Sequence, residues 1–229
     1  MKTMPVVLLL VCGLFLSDCT KKPTDPDDKW TEIFFDNFNR SNTDNGDIGD
    51  NWSVYNATDS TTMRISNNEV RCELLKAPYY FQYNLMSSYA LYNKEIDYTD
   101  VKITAKIITG NIDFPTVFIL CARTDKNLDE GYFIGYGHTE SFFEEIVNCS
   151  SNSIPYQLPD STTYLFELVL NGVSFEYSIT DFETKSVIIS GGGTTGCGVP
   201  EPQLVGFIAG APFPNAVIID DFKIEVITE

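Results

Sequence analysis

From Val101 to Ile108 the chain reads VKITAKII. Val101, Ile103, Ala105 and Ile107 fall on one face, and Lys102, Thr104 and Lys106 on the other. A period of two predicts a half-buried β-strand. Thr116–Ala122, TVFILCA, is apolar on both faces and predicts a central strand. Gly131–His138, GYFIGYGH, sets Tyr132, Ile134, Tyr136 and His138 on one side. Ser141–Cys149 and Thr163–Leu170 are further strands, and the second runs into Asn171-Gly172. That dipeptide between apolar runs predicts a tight hairpin with Val173–Thr180 as its return strand. Ser186–Ser190, Leu204–Ala209 and Ala216–Thr228 complete the set, with Gly191–Gly196 read as a loop. No segment from Trp30 onward carries a helical period, an internal repeat or a second linker. So many short strands in roughly 200 residues predict one all-β domain, a two-sheet antiparallel sandwich or a barrel.

The first residues follow a different pattern. Lys2 precedes an apolar run, Val6–Leu16, which is signal-like and too short to span a bilayer. The run ends in Leu16-Ser17-Asp18-Cys19, which resembles a bacterial lipobox, although Asp18 stands where a small residue is usual. The resemblance implies that residues 1–18 are a lipoprotein signal peptide and that Cys19 becomes the acylated first residue. Several acyl chains anchor stably where one is marginal. Thr20–Lys29, TKKPTDPDDK, has no apolar residue and reads as a polar tether, leaving residues 30–229 as the domain. The expected location is the bacterial cell envelope, with the membrane engaged through the anchor.

Composition narrows the function. Fifteen Lys and Arg face 32 Asp and Glu, a formal net charge of −17. Removing residues 1–18 takes away one Lys and one Asp, so the charge belongs to the mature chain. Phosphate recognition needs the opposite sign, which argues against a nucleic-acid partner. A single histidine removes most zinc enzymes and His-based triads.

The ends of the domain carry a family resemblance. Phe34-Phe35-Asp36-Asn37-Phe38-Asn39-Arg40 is followed by Gly49 and Trp52, and the chain closes on Ile219-Asp220-Asp221-Phe222 before an alternating apolar strand. With the VKITAKI strand, the GYFIGYG strand and Val205-Gly206-Phe207 between them, this order resembles the concanavalin A-like lectin/glucanase jelly roll in its laminin G-like branch. The resemblance implies a β-sandwich, a glycan as partner and one structural Ca²⁺ near the paired terminal strands. Asp36, Asp220 and Asp221 occupy the matching places, and hard oxygen ligands suit that ion.

Two chemistries compete for the site. Glu95-Ile96-Asp97-Tyr98-Thr99-Asp100 resembles the E-x-D-x-x-E signature of family-16 glycoside hydrolases, with Asp100 where that signature has Glu. On a strand, such spacing brings carboxylates to one sugar. Its plainer reading is a polar start to the VKITAKII strand. Glu144-Glu145 reads as a solvated edge. The alternative to catalysis is a sugar platform: Tyr132, Tyr136 and His138 share a face, with Arg123 on the neighbouring strand. Aromatic faces stack on pyranose rings, but aromatic rows also fill sandwich cores. Tyr79–Tyr83 puts aromatics on both faces of a further segment. Cys72, Cys121, Cys149 and Cys197 permit two disulfides in an oxidising compartment, in any of three pairings, or a buried free thiol at Cys121. The expected function is a non-catalytic carbohydrate- or surface-binding module on a lipid anchor. The alternatives are a glycoside hydrolase using Glu95, Asp97 and Asp100, and an adhesion lipoprotein that binds protein.

Overall fold

The structure is a computed structural model, and it describes residues 30–55, 61–74, 88–109, 116–128, 131–137, 142–147, 150–155, 158–159, 161–194, 203–211 and 216–228. Among them are fifteen strands and no helix. The back sheet holds β1 (Trp30–Asp36), β3 (Thr61–Ser66), β4 (Glu69–Leu74), β6 (Asp100–Ile108), β11 (Thr163–Asn171), β12 (Ser174–Asp181), β13 (Val187–Thr194) and β15 (Val217–Ile227). Its order is β13-β12-β11-β6-β15-β4-β3, with β1 also on β15. The front sheet holds β2 (Trp52–Tyr55), β5 (Ser88–Tyr92), β7 (Val117–Thr124), β8 (Tyr132–Gly137), β9 (Phe142–Val147), β10 (Ser150–Pro155) and β14 (Leu204–Gly210), in the order β10-β9-β8-β7-β14-β5-β2. Neighbouring strands in both orders pair antiparallel. The expected all-β, two-sheet antiparallel sandwich is what the chain forms.

The alternation in β6 does what its pattern predicts. Val101, Ile103, Ala105 and Ile107 are buried between the sheets, while Lys102 and Lys106 face out. Its neighbour β11 repeats the pattern with Tyr164, Phe166, Leu168 and Leu170 inside. The hairpin turn sits one residue later than the Asn171-Gly172 signal suggests. Asn171 pairs with Ser174, so Gly172 and Val173 are the central residues. Gly172 takes φ +55°, as the first position of a II′ turn requires. The predicted loop at Gly191–Gly196 is another correction, because Gly191–Thr194 continue strand β13. The run of glycines is accommodated by neighbouring aromatics: a Cβ at Gly191 would lie 2.4 Å from the Tyr177 hydroxyl.

The two terminal motifs turn out to be one structural unit. The Asp36 carboxylate accepts from the Phe38 N–H at 2.8 Å, from the Trp52 indole N–H at 2.9 Å and from the Arg40 guanidinium. Arg40 also donates to the Ile48 carbonyl at 3.0 Å and passes so close to Gly49 that a Cβ there would stand 2.0 Å from its Nη1. On β15 the Asp220-Asp221 step is a bulge, with Asp221 at φ +49°. One extra residue resets the alternation. Phe222 therefore turns inward and meets Trp52 edge-on, ring centroids 5.0 Å apart. The motifs that carry the family resemblance thus knot β1, the chain before β2, and β15 around Trp52.

Candidate functional site

Each sheet has one face in the core and one facing out. On the back sheet the outward positions of β6, β15 and β4 are charged and paired. Lys102 meets Glu225 at 2.9 Å, Lys223 meets the same carboxylate at 3.0 Å, Lys106 meets Asp220 at 2.9 Å, and Arg71 meets Glu73 at 2.6 Å. Burial raises the Glu225 carboxyl, but the hydrogen bonds from Lys102 and Lys223 outweigh it and hold the group below the ordinary Glu value. Glu69 and Asp221 move the other way, pushed up by burial first and by the nearby Asp220 charge second.

Over β5, β7, β8 and β14 the outward face of the front sheet is apolar among the described residues. Leu91, Cys121 and Phe133 are buried there, with Tyr55, Tyr89, Ile119, Leu128, Leu204 and Ile208 packed against them. The β7–β8 connection folds over this face. Leu128 joins the cluster, and the Tyr89 hydroxyl donates to the Lys126 carbonyl at 3.1 Å. Tyr55 and Tyr89 are cross-strand partners on β2 and β5, their rings stacked at 4.8 Å and 11°. Beside them opens a cavity of about 580 Å³ lined by Ser53, Tyr55, Asn93, Glu95, Asp125, Lys126 and Leu204, with Leu91 and Tyr92 beneath. Asn93 is fixed by its own bonds: its Nδ2 donates to the Asp50 carbonyl at 2.8 Å and its Oδ1 accepts from Ser53. The remaining polar side chains bring two carboxylates and one ammonium to the rim of an apolar floor. That is the composition of a site that takes a polyhydroxylated ligand with one flat face.

The residues singled out in the sequence are distributed differently. Tyr132 and Tyr136 are buried in the main core, Tyr132 against Phe175 of the back sheet and Tyr136 bonded to Thr116 at 3.2 Å. Their shared face is the inside of the sandwich, so it is not a platform. Arg123 is also buried, with φ +48°. It donates to the Gly172 carbonyl at 2.6 Å and to the Thr99 carbonyl, and its guanidinium lies 5.6 Å from the Tyr132 ring centroid. Burial pulls its pKa down, against the opposing pull of Tyr132 and Asp100. Arg123 is a tie between the sheets. His138 lies outside the described residues, as do Cys19 and the Tyr79–Tyr83 aromatics.

Glu95 and Asp97 are exposed, and they lie in the β5–β6 connection instead of on a strand. Strand periodicity therefore does not align them. Asp100 opens β6, and its carboxylate accepts from the Gly172 N–H at 2.9 Å, closing the β11–β12 turn. Of the three, only Glu95 reaches the cavity. Glu144 and Glu145 fall on β9, whose side chains lie outside the described set.

The three aspartates proposed for Ca²⁺ do not fit that ion as a set. Asp36 is committed to three donors, one of them a guanidinium, and Asp220 to the Lys106 ammonium. An ion at these carboxylates would have to displace cations already paired with them. Among the described residues no three His, Cys, Asp or Glu groups converge as metal ligands. Cys72 and Cys121 are free and buried, and burial pushes both thiols far up, which makes them inert at neutral pH. Neither thiol is in a disulfide here, and Cys149 and Cys197 lie outside the described residues.

The pocket residues Ser53, Tyr55, Asn93, Asp125 and Lys126 drew no attention in the sequence. The available signal was Trp52–Tyr55 and Ser88–Tyr92, two short alternating runs with large rings on both faces. When one face of a sandwich strand fills the core, the other ring must face outward.

The fold is a two-sheet jelly-roll sandwich similar to that of legume lectins. Solved structures of the same architecture include peanut lectin in complex with a nine-residue peptide, with a TM-score of 0.56 at 9% identity over 82% of this chain and 97% of that one. Arcelin-5, a lectin-like defence protein from Phaseolus vulgaris, matches at 0.55 and 8% over 81% and 96%. The seed lectin of Lotus tetragonolobus matches at 0.54 and 12% over 82% and 99%. No protein-family model matches the sequence, and no curated protein matches it either.

Proposed function

We propose that this protein is a non-catalytic carbohydrate-binding module, and that its ligand sits on the outward face of the front sheet beside Tyr55. The stacked Tyr55–Tyr89 pair next to the Asn93, Glu95, Asp125 and Lys126 rim carries the reading. Aromatic faces supply the apolar contact, and the rim supplies hydrogen bonds to hydroxyls. The likeness to lectins is a likeness of fold, and many functions share one fold. It agrees with the reading, while the pocket carries it. The laminin G-like assignment rests on the order of the terminal and central sequence motifs.

We also propose that Cys19 anchors the mature chain to a membrane of the bacterial cell envelope, on the strength of the lipobox-like segment and the polar tether. A Cys19→Ala variant is expected to leave the membrane fraction. One that still fractionates with membranes overturns the anchor.

The non-catalytic reading is favoured over hydrolysis because Asp100 is spent on the Gly172 N–H and Asp97 does not line the cavity. A glycan array probed with the mature protein tests both readings. Binding that is lost in Tyr55→Ala, with no reducing sugar released, supports the module. Sugar release that disappears in Glu95→Gln overturns it.

A further inference from the structure

Among the described residues the well-exposed large apolar side chains are Ile33, Phe35, Tyr98, Val173 and Val187. The last three stand singly, in a connection, a turn and a strand start, as surface apolar residues commonly do. Ile33 and Phe35 are two residues apart on β1, 37% and 48% exposed. Half-buried Trp30 begins the same strand. Their register shows which way they face. Trp30 pairs with Ile227 and Phe35 with Lys223, while Ile33 sits in the bulge between Glu32 and Phe34. Ile224 and Val226, the β15 residues that alternate with these partners, are buried. Trp30 and Phe35 therefore lie on the outward side of the back sheet, opposite the pocket, with exposed Glu32 between them and exposed Ile33 at the bulge beside them.

The surroundings of this edge are amphipathic. The Lys102 ammonium lies 5.2 Å from the Trp30 ring centroid, and both Lys102 and Lys223 hold Glu225. Rings and aliphatic groups beside long lysine stems suit a lipid headgroup region, where the stems keep the ammonium in water. The chain before the edge names the occupant. Only the ten polar residues Thr20–Lys29 separate Trp30 from Cys19. A flexible chain of that length has a root-mean-square span of roughly 17 Å, and a fully extended one reaches about 35 Å. An anchored domain thus holds this edge within reach of the bilayer at all times. The net charge of −17 disfavours electrostatic attraction of the domain to anionic lipid, so an apolar contact is the kind this edge can offer.

We propose that Trp30, Ile33 and Phe35 seat the domain in the headgroup region of the membrane that Cys19 anchors, turning the front-sheet pocket away from the lipid. The inference rests on the Cys19 anchor. The contact is apolar, so it persists when salt screens charge. It fixes the orientation of a domain that the tether alone would leave free to tumble.

Tryptophan fluorescence reads this directly, because the chain has two tryptophans and Trp52 is buried in the core. The acylated mature protein is reconstituted into phosphatidylethanolamine/phosphatidylcholine vesicles carrying brominated lipid. Flotation reports the anchor, and quenching reports the seat. Bromines near the headgroups should quench Trp30 more than bromines at the bilayer centre, since interfacial side chains insert only about 5–10 Å. Trp30→Phe should float and lose the quenchable emission. The double variant Ile33→Asp/Phe35→Asp should float and leave Trp30 unquenched, while the shielded Trp52 emission shows that it is folded. Wild type that floats with both tryptophans unquenched overturns the seat and leaves the anchor standing. Wild type that does not float overturns the anchor itself.

Discussion

On the outward side of the back sheet, β6 meets β15 through Lys102–Glu225 and Lys106–Asp220, and Arg71–Glu73 and Lys223–Glu225 pair along β4 and β15. On the outward side of the front sheet, the corresponding positions of β5, β7, β8 and β14 are Leu91, Cys121, Phe133 and Ile208. The inner faces of both sheets are the same kind of apolar core, so the difference is not needed to close the sandwich. A solvated sheet face alternates polar residues outward, and β4, β6 and β12 of the back sheet keep that rule, while β11 carries Leu165 and Val169 outward and β1 carries Trp30 and Phe35. The front sheet breaks the rule among the described residues, beside the stacked tyrosines and their cavity, whereas the back sheet's own hollow of about 670 Å³ is lined by Glu167, Glu176, Ser178 and the β13 glycines. Leu91, Cys121 and Phe133 are covered on the front face, so this face holds a second, smaller core, and the open hollow at its edge beside Tyr55 is the part a ligand can reach.

Four substitutions can break or sharpen that contrast. The largest effect belongs to Leu91→Ala. Leu91 is buried on the outward side of the front sheet, so truncation should cost about 3 kcal/mol, as in a core. Chemical denaturation measures it, and a loss below about 0.5 kcal/mol would mean that this face is ordinary surface. Tyr55→Ala comes next. It removes one half of the stack and one wall of the cavity. Glycan affinity should fall about tenfold, near the upper end of what an aromatic contact supplies, with Tm changed by only a few degrees.

The back-sheet effects are smaller and depend on pH. Glu225 titrates below its unfolded value in the folded state. Its stabilisation is therefore present above the unfolded carboxylate pKa of about 4.3 and is lost as pH falls through the folded value. Glu225→Gln should cost less than about 1 kcal/mol at pH 7, because the pairs are solvent-screened. The cost should vanish in acid. Glu69 has the opposite sign. Its folded pKa is raised, so the folded state loses stability as pH rises through it. Glu69→Gln should gain a few tenths of a kcal/mol at neutral pH, and the gain should disappear below about pH 4. Opposite pH slopes in the two variants would establish the back face as an electrostatic surface.

In the sequence β6 and β12 are visible because one face of each is polar, and β11 because Thr163, Glu167 and Asn171 recur on one face of its apolar run. Burial of one face imposes a period of two, which composition alone cannot hide. The order of the terminal motifs was informative for a physical reason: Asp36, Arg40, Gly49 and Trp52 meet in one knot, so their spacing is constrained. The site was less visible. In GYFIGYGH both faces are apolar or small, and periodicity does not say which face is inside. Tyr132 and Tyr136 prove to be core, and Phe133 is the residue that faces out. Glu95 was conspicuous for its spacing to Asp97 and Asp100, yet it reaches the cavity through a connection with no strand period. The other lining residues come from β2, β5, the start of the β5–β6 connection, the β7–β8 connection and β14. Strand pairing brings them together, and no linear pattern records it. The glycine run of β13 reads as a loop because glycine weakens strand propensity, whereas Tyr177 and Phe175 lying over it make glycine the residue that fits.

The claim that the front face binds sugar is tested most directly by calorimetric titration of the mature protein with the strongest glycan from the array. Wild type, Tyr55→Ala and the back-face variant Lys102→Ala are compared under one buffer. The account predicts that Tyr55→Ala weakens binding about tenfold and that Lys102→Ala binds as wild type does. Undiminished binding by Tyr55→Ala, with loss in Lys102→Ala, would contradict it and move the site to the other sheet.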